Sequence, residues 1–131
     1  AVKIQIGAAV PVAEEITMTI KGRDHLTGLP RAVELGTNEI IRAISKELRT
    51  MVGAIKDVLQ ETPPELASDI IDNGITMTGG SSQLRNLAEL IFRRTGVKAR
   101  VAKDAPYCVA KGTGEALKHL NAYKKATLAK R

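Results

Sequence analysis

Apolar and polar positions alternate along the first third of the chain. Val2, Ile4 and Ile6 step by two, which predicts a strand, although so short a run also fits the end of a helix. Gly7 and Pro11 break that pattern. Ile16, Met18 and Ile20 then alternate with Thr17, Thr19 and Lys21, the pattern of a half-buried strand. A polar loop is expected from Gly22 through Gly28 to Pro30, with Val33 and Leu35 on a short return strand. The two strands predict a β-hairpin with a long tip.

The period then changes from two to between three and four. Ile41, Ile44, Leu48, Met51, Ile55 and Val58 predict a long amphipathic helix over Thr37–Leu59, with Thr37 or Asn38 as its cap. Thr62-Pro63-Pro64 ends it. A short helix is expected from Pro64 to about Ile71, stopped at Asn73-Gly74. Ile75–Thr78 reads as a strand, followed by Gly79-Gly80 and a helix opening on Ser81 and Ser82 with Leu84, Leu87, Leu90 and Ile91 on one side. Val97, Ala99 and Val101 alternate as a further strand. Strand, helix of about four turns and strand form a βαβ unit, so the two strands should run parallel. A last helix is expected near Pro106, burying Val109, Ala116, Leu117 and Leu120. The class is α/β. Two strands make a poor parallel sheet by themselves, which suggests the end of a larger sheet.

Composition narrows the chemistry. The chain has 131 residues, 44% apolar and 26% charged, ordinary values for a globular protein. Phe92, Tyr107 and Tyr123 are its only aromatic residues, so base stacking, the common device of single-strand readers, is nearly absent. One cysteine, Cys108, forbids an internal disulfide, and the expected compartment is the reducing cytoplasm. No apolar run approaches the roughly 20 residues of a membrane span.

The net charge of +6 lies in the second half. Residues 1–62 hold eight basic and eight acidic side chains; residues 63–131 hold twelve and six. The tail, with Lys124, Lys125, Lys130 and Arg131, reads as a solvated terminus, as a patch for anionic lipid headgroups, or as a nucleic-acid contact. His25 and His119 are far apart and lack partners at ligand spacing, so no metal site is expected. Cys108 has no histidine near it in sequence and reads as a small buried side chain. Asp69 and Asp72 share a helix face and read as solvated. There is no Walker P-loop and no catalytic constellation.

The stretch from Ile75 to Arg85 is the most informative. Glycines let backbone approach a ligand, and a helix start offers free N–H groups, so the turn suits a nucleoside or a phosphate. Strand–Gly-Gly–helix turns also occur as plain connectors.

Three segments carry a resemblance. Gly22-Arg-Asp-His-Leu-Thr-Gly-Leu-Pro30 resembles the MreB family's Gly-Arg-Asp/Asn loop ending in Gly-Leu/Val-Pro. Pro63-Pro-Glu-Leu-Ala-Ser-Asp-Ile70 resembles its Pro-Pro-Glu-Leu-Ala-x-Asp-Ile segment. Thr78-Gly-Gly with Leu84-Arg-Asn-Leu87 resembles its adenosine motif, Thr-Gly-Gly-Gly-x-x-Leu-Arg-x-Leu. Cys108-Val-Ala-x-Gly112 with Gly114-x-Ala-Leu117 is a softer fourth match. The chain thus resembles the C-terminal part of the bacterial actin homologues, within the actin/Hsp70/sugar-kinase superfamily.

The resemblance implies a partial actin-like, ribonuclease H-like fold: the C-terminal part of the second large domain. Residues 1–62 would be the IIB-like subdomain and 63–131 the end of subdomain IIA. It makes the N-terminal segment a helix end rather than a strand. It implies an ATP-binding, filament-forming protein of cell shape or motility, with ATP or ADP and Mg in the longer protein. The phosphate loops and catalytic carboxylates would precede this segment, so no catalytic residue and no hydrolysis are expected of this chain alone, nor a nucleotide bound by it alone. What remains is the adenosine loop, Gly79, Gly80, Ser81 and Ser82. The family's third glycine is Ser81 here; a Cβ there would crowd the adenine or ribose, or demand a φ that serine dislikes. Self-association into filaments is the implied partnership, with a peripheral membrane contact through the tail and no nucleic acid. The alternative is a stand-alone regulatory half-domain of the same superfamily.

Overall fold

A computed structural model describes residues 2–120. The elements are α1 (Val2–Ile6), β1 (Thr17–Arg23), β2 (Pro30–Gly36), α2 (Thr37–Glu61), α3 (Pro64–Asn73), β3 (Ile75–Met77), α4 (Leu87–Thr95), β4 (Ala99–Val101) and α5 (Cys108–Lys118). Single 3-10 turns stand at Gly80–Gln83 and Ala105–Tyr107. The described residues form two compact units, one of residues 2–75 with 84–100, the other of 76–83 with 101–120.

The core of the first unit is aliphatic and small. Ile6, Ala8, Ala9, Val10, Val52, Leu87, Ile91 and Val97 are buried. α1 contradicts the strand read from alternation at Val2–Ile6 and agrees with the helix end implied by the family. Only Ile6 of the helix is buried, while Ile4 is exposed, so the alternation did not report a buried face. Gly7 then donates its N–H to Lys3 O (3.0 Å), and Ala9 donates to Arg85 O (2.8 Å) in a parallel bridge beside Ala8.

β1 and β2 pair antiparallel from Thr17↔Gly36 to Arg23↔Pro30. The tip is shorter than expected, because Gly22 pairs with Arg31 inside the ladder. α2 starts at Thr37 but is not capped by its own residues. Thr37 is buried and its hydroxyl donates to Ile16 O (3.0 Å), while the Asn38 N–H is accepted by the Glu15 carboxylate (2.9 Å). A charged acceptor from the preceding segment satisfies a helix-start donor and favours the dipole. Val52, not Val58, is the apolar residue of α2 that is buried; Val58 is 65% exposed.

The hydrogen bonds Ile75 N–H to Lys98 O (2.8 Å) and Ala102 N–H to Met77 O (2.9 Å) ascend together, so β3 and β4 run parallel. The connecting helix is shorter than expected. α4 has nine residues and opens at Leu87. α5 corrects the sequence reading of the last helix: it buries no residue, with Val109 77% and Leu117 61% exposed, and Leu120 beyond its end is 57% exposed. Cys108 is half-buried, its thiol facing Lys103 O (3.6 Å) and Asp104 O (3.7 Å).

Candidate functional site

The turn after β3 is built from backbone. Gly79 takes φ +83°, a left-handed value that a Cβ makes costly. Its N–H donates to Ala105 O (2.8 Å), which ties the turn to the 3-10 turn at Ala105–Tyr107. Asp104 stands in the left-handed region (φ +54°) before that second turn, which is closed by the Tyr107 N–H on Asp104 O (2.8 Å). The Asp104 side chain forms an ion pair with Lys111. Ala105 is almost fully buried, so the anchor is solid. No motif in the sequence marks Ala105 as the partner of Gly79. The only local signal is the Asp-Ala-Pro string, which favours a turn.

The four residues singled out in the sequence have unequal places. Gly79 is half-buried, Gly80 and Ser81 are exposed, and Ser82 is buried. Ser82 closes the turn on itself: its N–H (3.3 Å) and its hydroxyl (2.6 Å) both donate to Gly79 O. Its side chain is therefore spent inside the loop. Ideal Cβ atoms built on Gly79 or Gly80 would meet nothing within 4 Å, so the backbone faces open space on that side. Ser81 is absent from the residues with positive φ, so serine there carries no backbone penalty. Of the two difficulties expected at Ser81, only the steric one remains.

No α-helix begins on the serines. Gly80–Gln83 is one 3-10 turn, the Leu87 N–H bonds to Leu84 O (3.1 Å), and Asn86 at φ +59° precedes α4. The two hydrogen bonds that Ser82 donates to Gly79 O hold the tighter turn and explain the difference. The helix-dipole argument for an anion thus does not apply to this turn.

The other motif-bearing loop, at the hairpin tip, is closed by side chains. Asp24 accepts the N–H groups of Leu26 (3.0 Å) and Thr27 (2.9 Å) and pairs with Arg31 (3.0 Å). These bonds, led by that from Thr27, hold the Asp24 carboxyl below its ordinary pKa. Arg23 donates to Gly28 O (2.7 Å), and Gly28 takes φ +71°. Among the described residues, no cluster of three or more His, Cys, Asp or Glu could hold a metal ion, and no helix is long and apolar enough to cross a membrane. The tail residues Lys124, Lys125, Lys130 and Arg131 lie outside the described residues.

The family described as MreB/Mbl protein matches residues 1–125. The chain belongs to the MreB/Mbl family. It is 41% identical over 120 residues to the cell shape-determining protein MreB of Escherichia coli K12, covering 92% of this chain and 35% of that protein. It is 37% identical over 127 residues to the cell shape-determining protein Mbl of Bacillus subtilis, covering 97% and 38%. Among solved structures, MreB5 of Spiroplasma citri bound to ADP matches with TM-score 0.85 and 33% identity, over 95% of this chain and 38% of that one. The same organism's MreB 5 bound to AMPPNP matches with TM-score 0.83 and 32% identity, over 96% and 38%. The chain therefore has part of an actin-like fold, and spans 35–38% of the length of these MreB/Mbl relatives.

Proposed function

We propose that this chain is the C-terminal part of an ATP-binding, filament-forming cytoskeletal protein that acts in bacterial cell shape or motility. The observation that carries this reading is the open backbone at Gly79 and Gly80, held by Ala105, inside a chain that matches nucleotide-bound MreB structures over 95% of its length. In the longer protein, Gly79, Gly80 and Ser81 would lie against the adenosine of ATP or ADP, and Ser82 would hold the turn in shape. Mg and the triphosphate would be handled by residues outside this chain. The bound nucleotide would supply a hydrolysable bond whose cleavage changes filament stability. This chain's own residues would bind and orient the nucleotide.

By family analogy residues 1–62 correspond to subdomain IIB and 63–131 to the end of IIA. The protein would work in the cytoplasm, and the basic tail would add contact with anionic lipid at the inner face of the membrane. The low aromatic content speaks against nucleic acid. Three tests apply. The reading frame upstream of Ala1 should continue into Asp-x-Gly phosphate loops; a frame beginning at Ala1 would instead support a regulatory half-domain. The purified chain should show ATP turnover no higher than a buffer blank, and turnover surviving re-purification would contradict the account. Deleting Lys124–Arg131 should reduce co-sedimentation with phosphatidylserine vesicles; unchanged binding would remove the membrane role.

A further inference from the structure

A groove of about 310 Å³ lies between α2 and α4. Its floor is apolar, with Leu48, Val52 and Leu90, and its rim is cationic, with Arg49, Lys56 and Arg94. No acidic residue lines it. Arg42, Arg49 and Lys56 recur every seven residues along α2, so they form one stripe beside its apolar face. None of the three rim cations takes part in an ion pair among the described residues. A groove of this kind fits an amphipathic helix of opposite charge.

The same unit carries such a helix. α3 contains Glu65, Asp69 and Asp72 and no basic residue. Their spacing of four and three puts them on one face. Leu66 borders that face and is 54% exposed, and α3 buries no residue at all. None of its three carboxylates is ion-paired among the described residues. Glu65 and Asp72 are seven residues apart, as are Arg49 and Lys56, so both pairs of charges are separated by about 10 Å along their helices.

We propose that α3 of one copy docks in the α2–α4 groove of a second copy. Glu65, Asp69 and Asp72 pair with Arg49, Lys56 and Arg94, and Leu66 enters the apolar floor. The contact is heterologous, because helix and groove are different surfaces, and each copy therefore offers one of each to the next. The proposal deepens the filament reading and rests on it for its biological use, but the contact itself needs no nucleotide. A ten-residue helix covers less area than a standard interface of about 1,200–2,000 Å², so association of the chain is weak and salt-sensitive.

Sedimentation velocity of the chain at high concentration tests it with two charge-reversed variants. One carries Arg49→Glu and Lys56→Glu, which leaves acidic groove against acidic helix. The other carries Glu65→Lys and Asp72→Lys, which leaves basic against basic. The wild type should associate in low salt, with at least about tenfold weaker association in 0.5 M salt. Each variant alone should be monomeric, and their equimolar mixture should associate again. All the changed side chains are exposed, and circular dichroism of each variant confirms folding. A monomeric wild type, variants that associate like wild type, or a mixture that stays monomeric would each overturn the proposal. Pelleting of the longer protein with ATP is scored separately. Filaments that form regardless of these substitutions would discard this contact and leave the filament reading intact.

Discussion

Two turns in this chain carry family motifs and a left-handed glycine, yet they are built in opposite ways. At the hairpin tip, side chains do the closing. Asp24 takes two backbone N–H groups and Arg31, Arg23 takes the Gly28 carbonyl, and Gly28 N–H returns to Asp24 O (2.9 Å). A Cβ on Gly28 would lie 3.3 Å from the Arg23 guanidinium. At Gly79–Ser82, the backbone does the closing through Ala105 O and Gly79 O, and the glycines face open space. The first turn satisfies its own polar groups and leaves little for a ligand. The second leaves bare backbone accessible, which is what close approach of a ligand requires. A motif by itself does not say which kind of turn it encodes; the placement of the hydrogen-bonding side chains does.

The comparison can be broken at either glycine. Gly28→Ala and Gly79→Ala should each destabilise the chain by about 1–2 kcal/mol, the cost of a Cβ in the left-handed region, read from urea melts. Gly28→Ala should be the worse of the two, since the Arg23 guanidinium must also move. Equal melting of both variants and wild type would show that neither turn depends on its φ.

A smaller effect separates the turns by pH. The Asp24 carboxyl is held below its ordinary value, so its contribution to stability is complete above the unfolded value of about 4 and is lost as pH falls through the lower folded value. Asp24→Asn should therefore lower the urea midpoint at pH 6, and the gap from wild type should shrink as the pH falls below about 4. A gap independent of pH would place the effect elsewhere.

At Gly80 and Ser81, the positions of the open turn without a left-handed φ, substitutions should hardly touch stability. Ser81→Gly should cost at most about 0.5–1 kcal/mol through chain entropy, and in the longer protein it should tighten nucleotide binding by removing a side chain. Gly80→Ala should melt within about 0.5 kcal/mol of wild type, because its φ is ordinary and its Cβ meets nothing. Either variant melting far outside these ranges would mean the turn is packed rather than open.

Much of the fold was legible in the sequence because periodicity reports burial where one face is covered. Ile41, Ile44, Leu48, Met51 and Ile55 of α2 are half-buried and β1 alternates at Met18 and Ile20, whereas Val58 of α2 and Val33 of β2 are exposed. The pattern failed where apolar residues are not buried. Ile4 and Val2 alternate on a helix, and Val109, Leu117 and Leu120 have helical spacing but stand in solvent. The candidate turn was located by its glycines. Its internal geometry was not, because Ser82 bonding back to Gly79 O and the distant Ala105 anchor depend on tertiary placement. The same holds for Glu15, which serves the start of α2 from 23 residues before Asn38. The seven-residue spacing of Arg42, Arg49 and Lys56 was in the sequence, but it gained meaning only when α4 supplied the other wall of the groove.

The most direct test of the account is ATP affinity of the longer protein carrying Gly80→Val, set beside Asp24→Asn at the closed turn. The account predicts that Gly80→Val weakens nucleotide binding at least about tenfold with little change in melting, while Asp24→Asn lowers melting and leaves affinity unchanged. Wild-type affinity in Gly80→Val, with the protein folded, would contradict the assignment of Gly79–Ser82 as the nucleotide-facing turn.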